Sequence, residues 1–269
     1  MVESKKIHYI LRIAVAMCFI GHGSFGIITK PIWCNYFAVV GIGHDLAYQL
    51  MPFVGAMDIA LGLIMLIYPI RAIPLWLVIW GLVTALFRPL SGEPFAEFIE
   101  RAGNFGAPLA LLILSGLPKN FRHLFKRIDP AIEPDAQTWS RLAVCLRVVA
   151  FFLLLGHGWL NIIEKKGLIN QYAALGFTNP AQIAQITGIA EIIAAFIILV
   201  KPLRHFIFLV FLWKMTSELL YPHYGLLEWI ERGGSYGTLL ALWMVTGRNS
   251  FAQLIPSSWL LLTTRKKLS

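Results

Sequence analysis

The chain has 269 residues, of which 58% are hydrophobic and 14% charged, with a mean hydropathy of +0.69 and a net charge of +9. A water-soluble domain carries about 45–50% apolar residues, so an ordinary soluble enzyme is excluded and the long uncharged runs belong in a bilayer. The basic residues gather between those runs, as in loops retained on the cytoplasmic side, which excludes nucleic acid as the partner.

A transmembrane helix needs about 20 apolar residues. The first such run, at about 9–28, is long enough to span and lacks a cleavage site, so it is predicted as a span rather than a signal peptide. Further spans are expected at about 46–68, 73–87 and 95–117, which completes a first repeat over 1–118. A basic, proline-containing linker over 119–140 carries Arg122, Lys126 and Arg127 and is expected on the cytoplasmic surface. The second repeat, 141–248, holds predicted spans at about 141–163, 181–200, 203–221 and 226–246. The tail, 249–269, has a short apolar piece and closes on Arg265-Lys266-Lys267.

Internal matches carry the duplication. Gly21-His22-Gly23 recurs as Gly156-His157-Gly158, each preceded at the same distance by Leu-Arg (Leu11-Arg12 and Leu146-Arg147). Asp58 matches Glu191, Pro69 and Arg71 match Pro202 and Arg204, and Trp80 matches Trp213. Glu97-Phe98-Ile99-Glu100-Arg101 matches Glu228-Trp229-Ile230-Glu231-Arg232. Lys5, Lys6, Arg71, the linker and the tail fall on one side of an eight-span topology, so both termini are expected to be cytoplasmic. Four spans per repeat make the halves parallel, related by a pseudo-twofold along the membrane normal. The expected fold is therefore an all-α integral membrane protein of two four-helix bundles side by side.

The candidate site residues are the polar groups within those spans, since a buried charge there costs about 2.5–3.5 kcal/mol and needs a partner. His22 and His157 suit proton relay, a quinone hydrogen bond or, less favoured, haem ligation; the alternative is an interhelical bond that locks two helices. Asp58 and Glu191 lie among small residues (Gly55 and Gly62; Gly188 and Ala195) and are expected to point inward, against the histidine or Arg101 and Arg232. Glu97, Glu100, Arg101 and Asn104 form one face of a helix, repeated by Glu228, Glu231, Arg232 and Ser235, and are expected near the outer side. Lys214 and Glu218 stand where the first repeat has Gly81 and Ala85, which favours the second bundle as the active one, with Tyr221 and His223 near its outer end. Cys18, Cys34 and Cys145 form no CxxC pair, so neither a disulfide framework nor a dithiol site is expected, and no metal site is read.

These residues resemble the DoxX-like family of four-helix membrane proteins of bacteria and archaea. The likeness lies in Arg12/His22/Asp58/Pro69-Arg71 and Arg147/His157/Glu191/Pro202-Arg204, so each half is similar to one family unit. The resemblance implies a bacterial-type cytoplasmic membrane and a redox association. One branch is a subunit of thiosulfate:quinone oxidoreductase, and another accompanies enzymes of thiol and oxidative-stress metabolism. The thiol-handling relatives use cysteine pairs that this chain lacks. The expected function is thus a redox-associated membrane subunit with a quinone or small-molecule site in the outer half of a bundle, in contact with lipid, quinone or a redox enzyme. In that reading His157, with His22 as its twin, hydrogen-bonds or takes a proton and Glu191 orients it. Two alternatives stay open: a small-molecule transporter or receptor, and a purely structural or assembly subunit.

Overall fold

The computed structural model describes residues 2–220 and 225–248; Tyr221, His223 and the basic tail lie outside them. The described chain is helical: α1 (Val2–Ile27), α2 (Trp33–Ala38), α3 (His44–Ile67), α4 (Ala72–Leu90), α5 (Phe95–Glu100), α6 (Ala102–Leu114), α7 (Phe121–Leu124), α8 (Ala136–Ile162), α9 (Lys166–Ala174), α10 (Pro180–Val200), α11 (Arg204–Leu219), α12 (Gly225–Glu231) and α13 (Gly233–Arg248). Five of them, α1, α3, α4, α8 and α10, are long and apolar enough to cross a membrane, so this is an all-α, multi-pass membrane protein. The element order α1–α6 recurs as α8–α13, with α7 in the linker.

Three of the eight predicted spans are not among these five: the one over 203–221 is α11, a helix of 16 residues, and two others are broken. The continuous helix predicted over 95–117 breaks at Arg101 (φ −85°, ψ 15°) into α5 and α6. The one predicted over 226–246 likewise divides at Arg232 into α12 and α13. Glycine follows both breaks and permits a close crossing there. A Cβ on Gly103 would lie 2.8 Å from the Ser235 nitrogen, and one on Gly234 would lie 2.6 Å from the Gly103 carbonyl oxygen. Only glycine lets two backbones approach that far.

The halves do not close as separate bundles. α1 packs on α3 but also on α12 and α13 of the other half, and α8 packs on α10 but also on α5 and α6. α6 and α13 meet between them, α4 flanks α6, and α11 flanks α13. One apolar core consequently runs through both halves, from Leu11 and Val15 through Leu111 and Leu146 to Leu242. Apolar periodicity reports that a face is buried without saying which helix covers it, so the exchange of partners was not legible in the pattern.

The paired Leu-Arg motifs have a structural role. Arg12 donates from Nε to the Met65 carbonyl (3.0 Å) and from Nη2 to Leu66, at the C-terminal end of α3. Arg147 donates to Leu199 and Val200 at the end of α10. Both cap carbonyls that a helix end leaves without partners, where a positive charge also meets the negative end of the helix dipole. Arg71 does the same for α6, donating to Ser115 at 2.7 Å and Gly116 at 3.0 Å. Arg12 and Arg147 thus tie α3 to α1 and α10 to α8, and Arg71, at the start of α4, ties α6 to α4.

Candidate functional site

Each Gly-His-Gly places an imidazole between two neighbouring helices. Residues on either side of a helical position point about 200° apart, at 3.6 residues per turn, so the two glycines face different partners. A Cβ on Gly23 would come 2.5 Å from the Gly55 carbonyl of α3, whereas one on Gly21 would come 2.6 Å from the Glu231 Cα of α12. Gly158 meets α10 at Gly188 (2.8 Å to its carbonyl oxygen) and Gly156 meets α5 at Glu100 (2.5 Å to its Cα). The histidine is thereby brought against the acid-bearing helix of its own half and the Glu-Arg helix of the other.

The acids meet the histidines. His22 Nδ1 lies 2.8 Å from Asp58 Oδ2, and His157 Nδ1 lies 2.5 Å from Glu191 Oε2. With the carboxylate ionised Nδ1 carries the hydrogen, which leaves Nε2 as a lone-pair acceptor that can take and return a proton. Both acids are buried, and the pairing supplies the charge partner that burial requires.

The second dyad is braced all round. The Asn161 amide donates to Glu191 (3.4 Å) and its carbonyl accepts from Tyr172 (2.8 Å), while Trp213 Nε1 donates to Glu191 Oε1 at 3.2 Å. Lys214 Nζ, 1% exposed, stands 3.8 Å from the same carboxylate and 3.1 Å from Glu218. The first dyad is barer. Asp58 is one methylene shorter than Glu191, and its Oδ1 and the Trp80 Nε1 have no hydrogen-bond partner among the described residues. Trp33 stacks over His22, with ring centres 4.7 Å apart at 31°. Asp58→Glu is expected to supply the carboxylate oxygen that Trp80 lacks. It should raise stability by about 0.5–1.5 kcal/mol, the worth of one net hydrogen bond, read as a higher thermal midpoint with a shifted tryptophan emission. A lowered midpoint with unchanged emission would refute the assignment.

The Glu-Arg stripes join the two halves. Arg101 Nη1 lies 3.7 Å from Glu231, and its counterpart Arg232 pairs with Glu100. Lys30 Nζ lies 2.7 Å from Glu228, and Lys165 pairs with Glu97. Each bond therefore runs from one half to the matching residue of the other, in both directions, as an isologous contact does. Within a turn, Arg101 also lies 4.0 Å from Glu97, the expected local compensation. Arg88 adds bonds to Glu93 (3.2 Å) and Glu97 (3.3 Å), and Arg232 Nε reaches Glu218 Oε2 at 3.8 Å. Ion pairs thus run from His157–Glu191 through Lys214, Glu218 and Arg232 to Glu100, while His22 shares a cavity lining with the Arg101–Glu231 pair; Tyr221 and His223 lie outside the described residues.

The assembly opens on two cavities. One, of about 240 Å³, has His22, Arg101, Asn104 and Glu231 at its polar end and Trp33, Tyr36, Phe37 and Trp80 among its walls. Arg101 Nε is buried there without a hydrogen-bond partner. The other, of about 350 Å³, is lined by His157, Tyr172, Trp213, Thr216, Ser217 and Glu218. Asn161, Tyr172, Trp33, Arg88 and the Lys30/Lys165 pair were not predicted for the site. The lysines carried a signal, standing apart from the basic clusters of the linker and tail, and Asn161 carried another, one turn after His157 where the first half has Gly26. Cys18, Cys34 and Cys145 are free thiols. No protein-family model, curated protein or solved structure matches this chain.

Proposed function

We propose that the chain is a duplicated, eight-span protein of a bacterial-type cytoplasmic membrane, with both termini cytoplasmic, that serves a redox system by binding a quinone-class molecule at its His–carboxylate dyads. The observation that carries this reading is the first cavity. His22, Asn104 and Arg101, whose buried Nε and Nη1 have no hydrogen-bond partner among the described residues, line it together with Trp33, Tyr36, Phe37 and Trp80, aromatic walls that would sandwich a flat ring. Such a set offers a carbonyl oxygen its donors and a hydroxyl its acceptor, and Asp58 would hold the imidazolium formed when His22 takes a proton. The reciprocal ion pairs support the pseudo-twofold, the basic residues of linker and tail support the orientation, and the likeness to DoxX-like proteins supports the redox setting. The first half is favoured over the second, because Trp213 and Asn161 already hydrogen-bond Glu191 whereas Asp58 keeps an oxygen with no partner among the described residues.

Titrating decyl-tailed benzoquinone into the detergent-purified chain should quench tryptophan fluorescence saturably. His22→Ala and Asp58→Asn should each weaken the binding at least about tenfold, or about 1.4 kcal/mol. No saturable quenching, together with no quinone extractable from the purified chain, would overturn the proposal. A transporter is the second reading, favoured by the broken helices at Arg101 and Arg232 and by polar groups lying between the halves. Substrate accumulation in proteoliposomes without any quinone response would select it.

A further inference from the structure

The second dyad stands between two cavities, one whose lining carries several polar side chains and one lined mainly by apolar ones. Behind Glu191, on the side away from Tyr172 and Ser217, lies a cleft of about 310 Å³ whose lining includes Leu154, Ile186, Ala190, Ala194, Phe206 and Val210, with Glu191 as its single charged group. Thr187 and Trp213 line both this cleft and the polar cavity that holds His157, so the two spaces share a wall. The cleft exists because α10 and α11 diverge: α10 rests on α8 and α9, while α11 leans on α13 and α12. Trp213 is 46% exposed, yet its Nε1 holds the carboxylate of Glu191, which is itself 4% exposed. A carboxylate kept for packing alone would be sealed from hydrocarbon by large side chains. Here Ala190 and Ala194, on either side of it along α10, leave the approach open.

We infer that the second site is entered sideways from the bilayer, between α10 and α11, by an amphiphile whose oxygen-bearing head meets His157–Glu191 and whose apolar tail lies in the cleft, with Trp213 as the partition it displaces. This rests on the reading of the dyads as ligand sites and adds the class and route of the ligand. A membrane-dissolved molecule with a long tail fits better than a wholly water-soluble one, because the cleft offers a tail dispersion contacts with five aliphatic side chains and a phenyl ring, and besides Glu191 only Thr187 and the Trp213 indole, whose N–H Glu191 already holds, are polar. The first half is built alike: α3 and α4 barely touch, and Val54 of α3 and Trp80 of α4 both line its cavity.

The test places Ala190→Cys in a chain whose three native cysteines are replaced by alanine, reconstituted in vesicles, with wild-type elution and thermal midpoint as the entry criterion. An alkyl maleimide dissolved in the bilayer should label position 190, and a membrane-impermeant sulfonated maleimide should not. Decyl-tailed benzoquinone should slow that labelling about tenfold and its tail-less counterpart should not. Ala194→Trp should abolish binding of the tailed probe to the second site while the tail-less probe still binds. Labelling by the sulfonated reagent, or equal protection by both probes, would overturn the lateral route. Fluorescence quenching by both probes without protection at position 190 would overturn the route alone and leave the ligand-site reading standing. Absence of quenching by either probe would overturn both.

Discussion

Arg232→Ala is expected to cost about 3–5 kcal/mol, the penalty for removing one partner from a buried ion pair. Arg232 bridges Glu100, 2% exposed, and Glu218, 2% exposed, and it stands at the break between α12 and α13. Without it Glu100 Oε1 loses its bond to Arg232, and its Oε2 has no hydrogen-bond partner among the described residues. Glu218 keeps Lys214 at 3.1 Å, so the larger part of the loss falls on Glu100. Arg101→Ala should cost less, because its pairs are longer, 3.7 Å to Glu231 and 4.0 Å to Glu97, and Glu97 retains Lys165 and Arg88 when Arg101 goes. Thermal unfolding in detergent, followed by helical circular dichroism, gives the comparison. The pairing Glu100→Gln with Arg232→Met should recover much of the loss, since charge and countercharge leave together. If the double replacement is as unstable as Arg232→Ala, the bond between the halves is not what holds them.

That expectation depends on a feature the sequence held only in part. The equivalence of Glu97–Arg101 with Glu228–Arg232 is plain in the residues, as is the matching of His22 and Asp58 with His157 and Glu191. Spacing shows that Glu97 and Arg101 can meet across one turn, so a local pair is the economical expectation. The structure spends those arginines across the halves instead, which requires knowing that α1 crosses to α12 and α8 to α5. A hydrophobic face has the same period whichever helix covers it, and a duplicated chain can satisfy it within a repeat or between repeats. The two glycines flanking each histidine were the available sign of the second arrangement: one close neighbour would need one glycine. The breaks at Arg101 and Arg232 hid for a related reason. Glu97, Glu100 and Arg101 fit one face of a continuous helix as well as a broken one, and only the tertiary crossing at Gly103 and Gly234 rewards a change of direction there.

Gly156→Ala puts the crossing itself to the test. In an isolated helix the change would stabilise by about 1 kcal/mol, since alanine has the better helix propensity. Here the new methyl would sit 2.5 Å from the Glu100 Cα and 2.8 Å from its Cβ, atoms at the root of a helix that cannot swing aside like a side-chain tip. Overpacking against such neighbours costs about 1–3 kcal/mol and sometimes more, so α8 and α5 must part and the net effect is destabilising by about 2 kcal/mol. Glu100 moves with α5, which loosens its bond to Arg232 and, through Glu218 and Lys214, the setting of Glu191. Gly21→Ala should act likewise through Glu231 and Arg101 at the first cavity. Gly167→Ala serves as the counterpart, because nothing lies within 4 Å of a Cβ at that helical position, and the same substitution there should be neutral or stabilising by up to about 1 kcal/mol. Opposite signs for positions 156 and 167 in thermal unfolding would show that the glycine beside the histidine is there for the other half of the molecule. Equal effects would mean that α8 and α5 do not meet at this residue, and the shared belt between the dyads would fall with that contact.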